Sequence, residues 1–264
     1  MFLCLCSSGP ASAMTLAPGL YSGHPPVGVV SANNEFVRPL GKSKGTVMVV
    51  HGGSWFRVGK VYLATASARW FVWHGYTAYD VDYRAAYDSL VDVVAAYDHL
   101  RRIGGRRAEI CAYGESAGGQ LIELLAASRP SLNCVISAAG IEDLRSLSHQ
   151  CAYGRPCASV DTGARWAFGD RLWEFSPVRL ERYITQPFLA AGSAWDSLID
   201  ERAQLAEMKR ARPATDTMLL PGAPTEGSGN FMHASVTPAA LARYQAAVLE
   251  VLSGAGRLAS VRSG

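Results

Sequence analysis

The chain has 264 residues, of which 49% are apolar and 18% are charged. A chain of this length and composition buries a large core without help from metals or many crosslinks. The formal net charge of +3 is too small to indicate nucleic acid or an anionic membrane as a partner. No apolar run approaches the roughly 20 residues that cross a bilayer, so no membrane span is expected.

Residues 1–26 are rich in proline and glycine and are expected to be irregular. The short apolar run 1–6 is followed by Ala11-Ser12-Ala13, which resembles the end of a secretory signal with its cleavage site. The positively charged start of such a signal is missing. The pattern favours a secreted or periplasmic protein, with a cytoplasmic one as the alternative.

Two pairs of cysteines call for different interpretations. Cys151 and Cys157 enclose a turn-rich pentapeptide, and a local disulfide there would agree with export. Two unpaired loop cysteines remain the alternative. Cys111 and Cys134 fall in predicted core strands and are interpreted as small buried apolar residues. The spacing of Cys151 and Cys157, without accompanying His or Cys ligands, is poor for zinc, and no metal is expected.

Strands and helices alternate along the chain from residue 27. The alternation predicts a mostly parallel sheet with helices on both faces, in one domain spanning 27–264. Residues 141–176 lack a long periodic run and are predicted to form an insertion over the carboxyl edge of the sheet. Strands are predicted at 46–50, 76–84, 108–113, 133–137, 187–191 and 217–220, and a hairpin at 27–30 and 35–38. Helices are predicted at 61–74, 90–100, 120–127, 200–210 and 238–252, and a loop at 221–230.

The pattern Gly114-x-Ser116-x-Gly118 lies between a predicted buried strand and a predicted helix. A sharp strand-to-helix turn pushes the central side chain out, and the two glycines leave room for the turn. Ser116 Oγ is therefore expected to stand above the sheet edge as a nucleophile.

A serine hydroxyl needs a general base, and the base needs an orienting carboxylate. In the chain order Ser, acid, His, the histidines available are His149, inside the insertion, and His233, after the last strand's loop. His233 is favoured as the base. Asp196 is favoured as the acid because it directly follows a strand, whereas Asp200 suits the cap of the next helix.

The developing oxyanion requires donors fixed in advance. Ala117 N–H, at the start of the helix after Ser116, is one candidate. The amides of Gly52 and Gly53, which follow the strand 46–50, are the others, and His51 is assigned a role in shaping that loop.

These motifs together resemble the α/β-hydrolase esterases, and most closely the HGG-type carboxylesterases, including feruloyl-esterase-like and arylformamidase-like members. The resemblance covers roughly residues 27–253. Two departures are Ser54, where the HGGG lipases have a third glycine, and a longer, glycine-rich segment before His233. The motifs that carry the resemblance are His51-Gly-Gly-Ser-Trp55, Asp82-Tyr-Arg84, Gly114-Glu-Ser-Ala-Gly-Gly119, Phe175-Ser-Pro177, Gly192-Ser-Ala-Trp-Asp-Ser-Leu-Ile199 and His233.

The resemblance implies a three-layer α/β-hydrolase fold and a serine carboxylesterase that needs no cofactor. The expected substrate is a small-molecule ester with a short acyl chain or an aryl group. Trp55, Phe56 and Trp195 are candidates for a modest apolar pocket. Alternatives are an arylformamidase-type amidase that uses the same triad and, from another class, a binding protein that keeps the fold without turnover. The oligomeric state is not indicated.

Overall fold

The computed structural model describes residues 28–56, 65–148, 158–222, 229–231 and 233–262. The predicted Cys151–Cys157 disulfide, the N-terminal segment 1–26 and His149 lie outside these ranges. Within them the chain forms one seven-stranded sheet, a two-stranded sheet and helices on both faces of the larger sheet.

The central sheet has the strand order β1-β3-β2-β4-β5-β6-β7. Strands β2 to β7 run parallel, and β1 pairs antiparallel with β3 at one edge. The carboxyl ends of the six parallel strands therefore meet at one edge, where sites of such sheets are found. The strands are β1 Glu35–Val37, β2 Thr46–Val50, β3 Thr77–Val81, β4 Ile110–Glu115, β5 Cys134–Ala138, β6 Phe188–Ser193 and β7 Asp216–Leu220. The small sheet pairs β8 Gly229–Phe231 with β9 Ala234–Val236.

Alternating side chains of each strand feed two separate cores. Met48 and Val50 point into the core that holds α2, α3 and α6, while Val47 and Val49 point into the core that holds α1 and α7. This alternation makes three layers, and the predicted fold class is confirmed. The helices are α1 Thr65–Trp73, α2 Asp88–Gly104, α3 Ala117–Ser128, α4 Ala158–Phe168, α5 Pro177–Leu180, α6 Glu201–Ala211 and α7 Pro238–Arg262, with 3-10 turns at Leu144–Ser148 and Glu181–Tyr183.

Three local predictions were wrong. Residues 28–30 form no strand, and β1 pairs with β3 instead of forming a hairpin. The insertion contains the regular helix α4, whose buried Val160, Ala164 and Phe168 lie at helical spacing. The predicted loop 221–230 contains part of β8, because the chain turns back there to pair with β9.

Cys111 and Cys134 form a disulfide, which corrects their interpretation as free apolar residues. The two cysteines are directly paired in the register of β4 and β5, with their Cα atoms 4.6 Å apart. Their side chains point to the same face of the sheet, in the core of α1 and α7. The register that brings them together is a long-range property, which the separate strand patterns do not contain.

Candidate active site

Ser116 occupies a strained turn between β4 and α3. Its φ of 54° and ψ of −122° lie outside the usual regions for a residue with a side chain. A Cβ on Gly114 would lie 2.3 Å from Gly118 O, and one on Gly118 would lie 2.3 Å from Val50 O. Both glycines are therefore required by close backbone approach, as the motif predicted.

Asp196 and His233 are hydrogen-bonded to each other. Asp196 lies three residues beyond β6, and its Oδ2 is 2.9 Å from His233 Nδ1. The other oxygen, Oδ1, accepts the amides of Leu198 at 2.7 Å and Ile199 at 3.0 Å. Backbone donors thus fix the carboxylate, and the carboxylate in turn orients the imidazole with Nε2 turned away from it.

The alternative acid is engaged elsewhere. Asp200 caps α6, and its side chain accepts a hydrogen bond from Ala203 N at 3.1 Å. Ser197 Oγ donates to His233 O at 2.8 Å, so the segment between the two aspartates also holds the histidine backbone.

His233 has an electrostatic effect on the residue next to Ser116. The charge of His233 lowers the pKa of Glu115, the residue that immediately precedes Ser116. Ser116 follows β4, and Asp196, which bonds His233, follows β6, so both lie at the carboxyl edge of the sheet.

The loop after β2 lies against the same turn. A Cβ on Gly52 would lie 2.8 Å from both Ser116 Cβ and Glu115 O. The next three residues all have positive φ: Gly53 at 115°, Ser54 at 51° and Trp55 at 60°. Among the described residues, the amides of Gly53 and Ala117 donate to no other group, which leaves both available to an oxyanion.

Tyr83 and His51 both donate to the carbonyl group of Gly52 in this loop. Tyr83 Oη donates to His51 O at 2.7 Å and to Gly52 O at 3.0 Å, and its ring stacks on the His51 ring with centroids 4.0 Å apart. His51 Nδ1 lies 2.6 Å from Gly52 O and donates to it. Because the C=O and N–H of a trans peptide point in opposite directions, a fixed Gly52 carbonyl also fixes the direction of Gly53 N–H.

Burial keeps both of these donors in the neutral form. Desolvation lowers the pKa of His51, and it raises the pKa of Tyr83 far above the ordinary value for tyrosine. The loop-shaping role expected for His51 agrees with these contacts. The sequence pattern indicates no role for Tyr83, although Asp82-Tyr-Arg84 is one of the motifs that carry the resemblance.

The three predicted pocket residues have different surroundings. Trp55 is fully buried, its Nε1 donates to Gln120 Oε1 at 3.0 Å and its ring meets the edge of Phe168. It belongs to the core beneath the loop, which corrects its assignment to a pocket surface. Phe56 is 37% exposed and Trp195 is 45% exposed, so both can meet a ligand.

The insertion touches the loop after β2. A Cβ on Gly163 of α4 would lie 2.2 Å from Ser54 O, so the helix touches the loop backbone. One turn further along α4, Trp166 stacks on Phe56 with ring centroids 4.8 Å apart. These two half-exposed rings lie next to the amides proposed for the oxyanion hole.

Four buried glutamates lie behind the site, between α3, the segment after β5 and α6. Burial raises the pKa of all four, to about 8 for Glu181. The Glu201 carboxyl lies against β6, because a Cβ on Gly192 would be 2.1 Å from Glu201 Oε2. The set comprises Glu123, Glu142, Glu181 and Glu201.

Among the residues that the structure describes, no cluster of three or more His, Cys, Asp or Glu side chains has an arrangement that could hold a metal ion. In the same ranges, no helix is long and apolar enough to cross a membrane.

Solved structures with a similar arrangement of strands and helices include two peptidases and an HSL homologue. The chain is similar to a puromycin-hydrolyzing peptidase of Mycobacterium tuberculosis, with a TM-score of 0.63 and 20% identity over 82% of this chain and 35% of the other. It is similar to the HSL homologue EstE7 from a metagenome library, with a TM-score of 0.63 and 17% identity over 87% and 89%. The acylaminoacyl peptidase of Pyrococcus horikoshii matches with a TM-score of 0.56 and 15% identity over 70% and 34%.

These likenesses establish that the chain has the α/β-hydrolase fold. The chain spans about a third of the length of the two peptidases, at 35% and 34%, and most of the length of EstE7. No family model matches the sequence, and no curated protein matches it.

Proposed function

We propose that the protein is a serine carboxylesterase that hydrolyses small carboxylic esters through an acyl-enzyme. The observation that carries the proposal is the strained Ser116 turn combined with the Asp196–His233 pair at 2.9 Å. A nucleophile on such a turn, with an oriented imidazole at the same sheet edge, is the arrangement that acyl transfer requires.

In the proposed reaction, His233 Nε2 takes the proton of Ser116 Oγ while Oγ attacks the carbonyl carbon. The π electron pair of the carbonyl moves to its oxygen, which accepts the amides of Ala117 and Gly53, with Gly52 as a further donor. The imidazolium then protonates the departing alcohol. A water molecule, deprotonated by His233, attacks the acyl-enzyme and releases the acid and the free serine.

The contacts of the insertion support short acyl or aryl substrates. The helix α4 touches the backbone of Ser54, so it closes that side of the loop. A longer acyl chain gains about 0.8 kcal/mol per buried methylene only where there is room for it. The half-exposed rings of Phe56 and Trp166 offer an aromatic surface to an aryl group.

Amide hydrolysis by the same residues, as in an arylformamidase, is the second candidate. It is favoured by neighbours that are named as a puromycin-hydrolyzing peptidase and an acylaminoacyl peptidase. Esters are preferred here because an amine leaves only after protonation by His233, which demands a further geometry. A binding protein without turnover is the third candidate, and it is weakened by the presence of all three triad residue types.

A fluorophosphonate probe and a substrate panel test these candidates. The probe should label the wild-type protein at Ser116 and leave Ser116→Ala unlabelled. Across 4-nitrophenyl esters from acetyl to octanoyl, kcat/KM should be highest from acetyl to butanoyl and should exceed the value for an N-formyl arylamide. A faster formamide would establish the amidase, and no labelling together with no turnover would establish the binding protein.

A further inference from the structure

A buried glutamine joins the helix that follows the nucleophile to the loop after β2. Gln120 lies one turn into α3 and is fully buried. Its backbone N–H donates to Ser116 O at 3.3 Å. Its side chain reaches the loop, where the indole N–H of Trp55 donates to Gln120 Oε1 at 3.0 Å. One residue is therefore bonded both to Ser116 and to the loop that carries the Gly53 amide.

A further bond fixes the direction in which the Gln120 amide faces. Its Nε2 donates to Phe175 O at 2.8 Å. An indole N–H can only donate and a backbone carbonyl can only accept, so these partners allow a single orientation of the amide, with Oε1 on Trp55. Because Phe175 lies near the end of the insertion, Gln120 holds together its own helix, the loop after β2 and the end of the insertion.

The loop needs such support, because Trp55 lies in an unfavourable turn. Phe56 N–H donates to Gly53 O at 2.9 Å, which closes a tight turn from Gly53 to Phe56. The central residues, Ser54 and Trp55, have φ values of 51° and 60°. Turns with positive φ at both central positions favour glycine, asparagine or aspartate there. A backbone of this kind persists only where its surroundings hold it in place.

The side chain of Trp55 is the part of the turn that the surroundings hold. It is fully buried, its ring meets the edge of Phe168 and its N–H is bonded to Gln120. Loss of the bond to Gln120 would leave a buried donor unsatisfied, and the turn would relieve that cost by moving the indole towards another acceptor or water. Such a movement is transmitted to Gly53, the first residue of the turn.

We propose that Gln120 is a positioning residue of the proposed oxyanion hole, which acts through Trp55 to keep the Gly53 amide in place beside the Ala117 amide. Ala117 begins α3, the helix that carries Gln120, so both donors are held relative to one element. The inference rests on the proposed function, because it takes these amides as the donors to the oxyanion. Tyr83 has a different part, since it fixes the carbonyl group that precedes Gly53.

Gln120→Met tests the proposal, because methionine has a similar length but offers no strong donor or acceptor. The kcat for an acetyl ester should fall roughly 10- to 100-fold with little change in KM, because oxyanion donors act mainly on the transition state. An alkyl trifluoromethyl ketone, which adds to a serine hydroxyl as a tetrahedral anion, should show a Ki that rises by a similar factor.

Gln186→Met is the matched control. Gln186 is also buried, and its Nε2 donates to Ala126 O at 3.2 Å and to Arg129 O at 3.1 Å. These bonds lie at the end of α3 opposite to Ser116, so the variant should unfold at lower urea but keep the wild-type kcat and Ki. Equal losses of kcat in the two variants would overturn the proposal, since they would indicate an effect on stability alone.

Trp55→Phe removes the same hydrogen bond from its other end. If Gln120 acts through Trp55, the double variant Gln120→Met, Trp55→Phe should have a kcat hardly lower than that of the worse single variant. Losses that multiply would overturn the proposal, because Gln120 would then act by another route. If Gln120→Met fails to fold, as judged by circular dichroism, Trp55→Phe alone should still lower kcat and raise the Ki, and a wild-type kcat in that variant would overturn the proposal.

Ser116→Ala separates the inference from the function on which it rests. If Ser116→Ala is inactive while Gln120→Met keeps the wild-type kcat, the inference is overturned and the proposed function stands. Undiminished activity in Ser116→Ala would overturn the proposed function, and the inference with it.

Discussion

At the scale of single residues, the two aspartates near the end of β6 have separable contacts. Asp196 bonds His233, and Asp200 caps α6. Asp196→Asn should favour the wrong imidazole tautomer and lower kcat on the order of 10³ to 10⁴. Asp200→Asn should change kcat little and cost about 1 kcal/mol of unfolding free energy at most. Steady-state kinetics and urea unfolding measure both, and the opposite pattern would reassign the acid.

Tyr83 offers a test of the proposed oxyanion loop that leaves the proposed triad residues unchanged. Tyr83→Phe keeps the ring beside His51 but removes the hydroxyl that donates to the carbonyls of His51 and Gly52. Because Gly53 N–H is then less well aimed, kcat should fall roughly tenfold, with little change in KM.

Tyr97→Phe is the matched control for that variant, because Tyr97 is buried and its hydroxyl bonds Ser131 away from the site. It should keep the wild-type kcat. Equal losses of kcat in the two variants would show that Tyr83 acts only on stability.

The sequence predicted residues whose chemistry shows in a local pattern, and it missed those whose role depends on partners. Ser116, with two glycines at fixed offsets, is recognisable from nine neighbouring residues. Asp196 was separable from Asp200 because one follows a strand and the other precedes a helix. Tyr83 gave no such signal, since its hydroxyl reaches a loop 31 and 32 residues earlier.

At the scale of elements, strand and helix patterns predicted the sheet well, because buried parallel strands form continuous β-branched runs. The same patterns failed where pairing was long-range. The β1 strand pairs with β3 and not with its neighbour in sequence, and α4 was obscured by Gly163 and Asp161 in its middle.

The disulfide between β4 and β5 should stabilise the elements that carry Ser116. It closes a loop across a sequence separation of 23 residues, and reduction should lower the unfolding free energy by roughly 3 kcal/mol in the chain-entropy model. Thermal unfolding with and without reductant measures the loss. The double variant Cys111→Ala, Cys134→Ala is the control, because its midpoint should no longer respond at this site.

We propose that the protein is exported. The disulfide supports this, since structural disulfides persist in oxidising compartments. Alkylation of the denatured, unreduced protein should leave both cysteines unmodified. Modification of both cysteines would show that the disulfide is absent.

At the scale of the whole molecule, the buried carboxyl groups set how stability depends on pH. The raised pKa values of Glu115, about 7, and Glu181, about 8, mean that the folded state keeps protons that the unfolded chain releases. Their contribution to stability is fully present below about pH 4.5 and is lost as the pH rises to about 8.

The unfolding free energy should therefore fall by several kcal/mol between pH 5 and pH 8, measured as urea midpoints at constant ionic strength. Glu181→Gln should flatten this dependence. Glu250→Gln, which changes an exposed glutamate on α7, should leave it as it is. Stability that rises over this range would contradict the buried, protonated state of these groups.

The covalent link between β4 and β5 also has an analytical consequence. Trypsin cleaves after Arg107 and Arg145 but not at Arg129, which precedes Pro130, so one peptide carries Ser116, Cys111 and Cys134 together. A fluorophosphonate-labelled digest without reductant should give this peptide lighter by the mass of two hydrogen atoms than the reduced digest. A single mass spectrum would then report, molecule by molecule, whether the nucleophile has reacted and whether the strand that presents it is crosslinked.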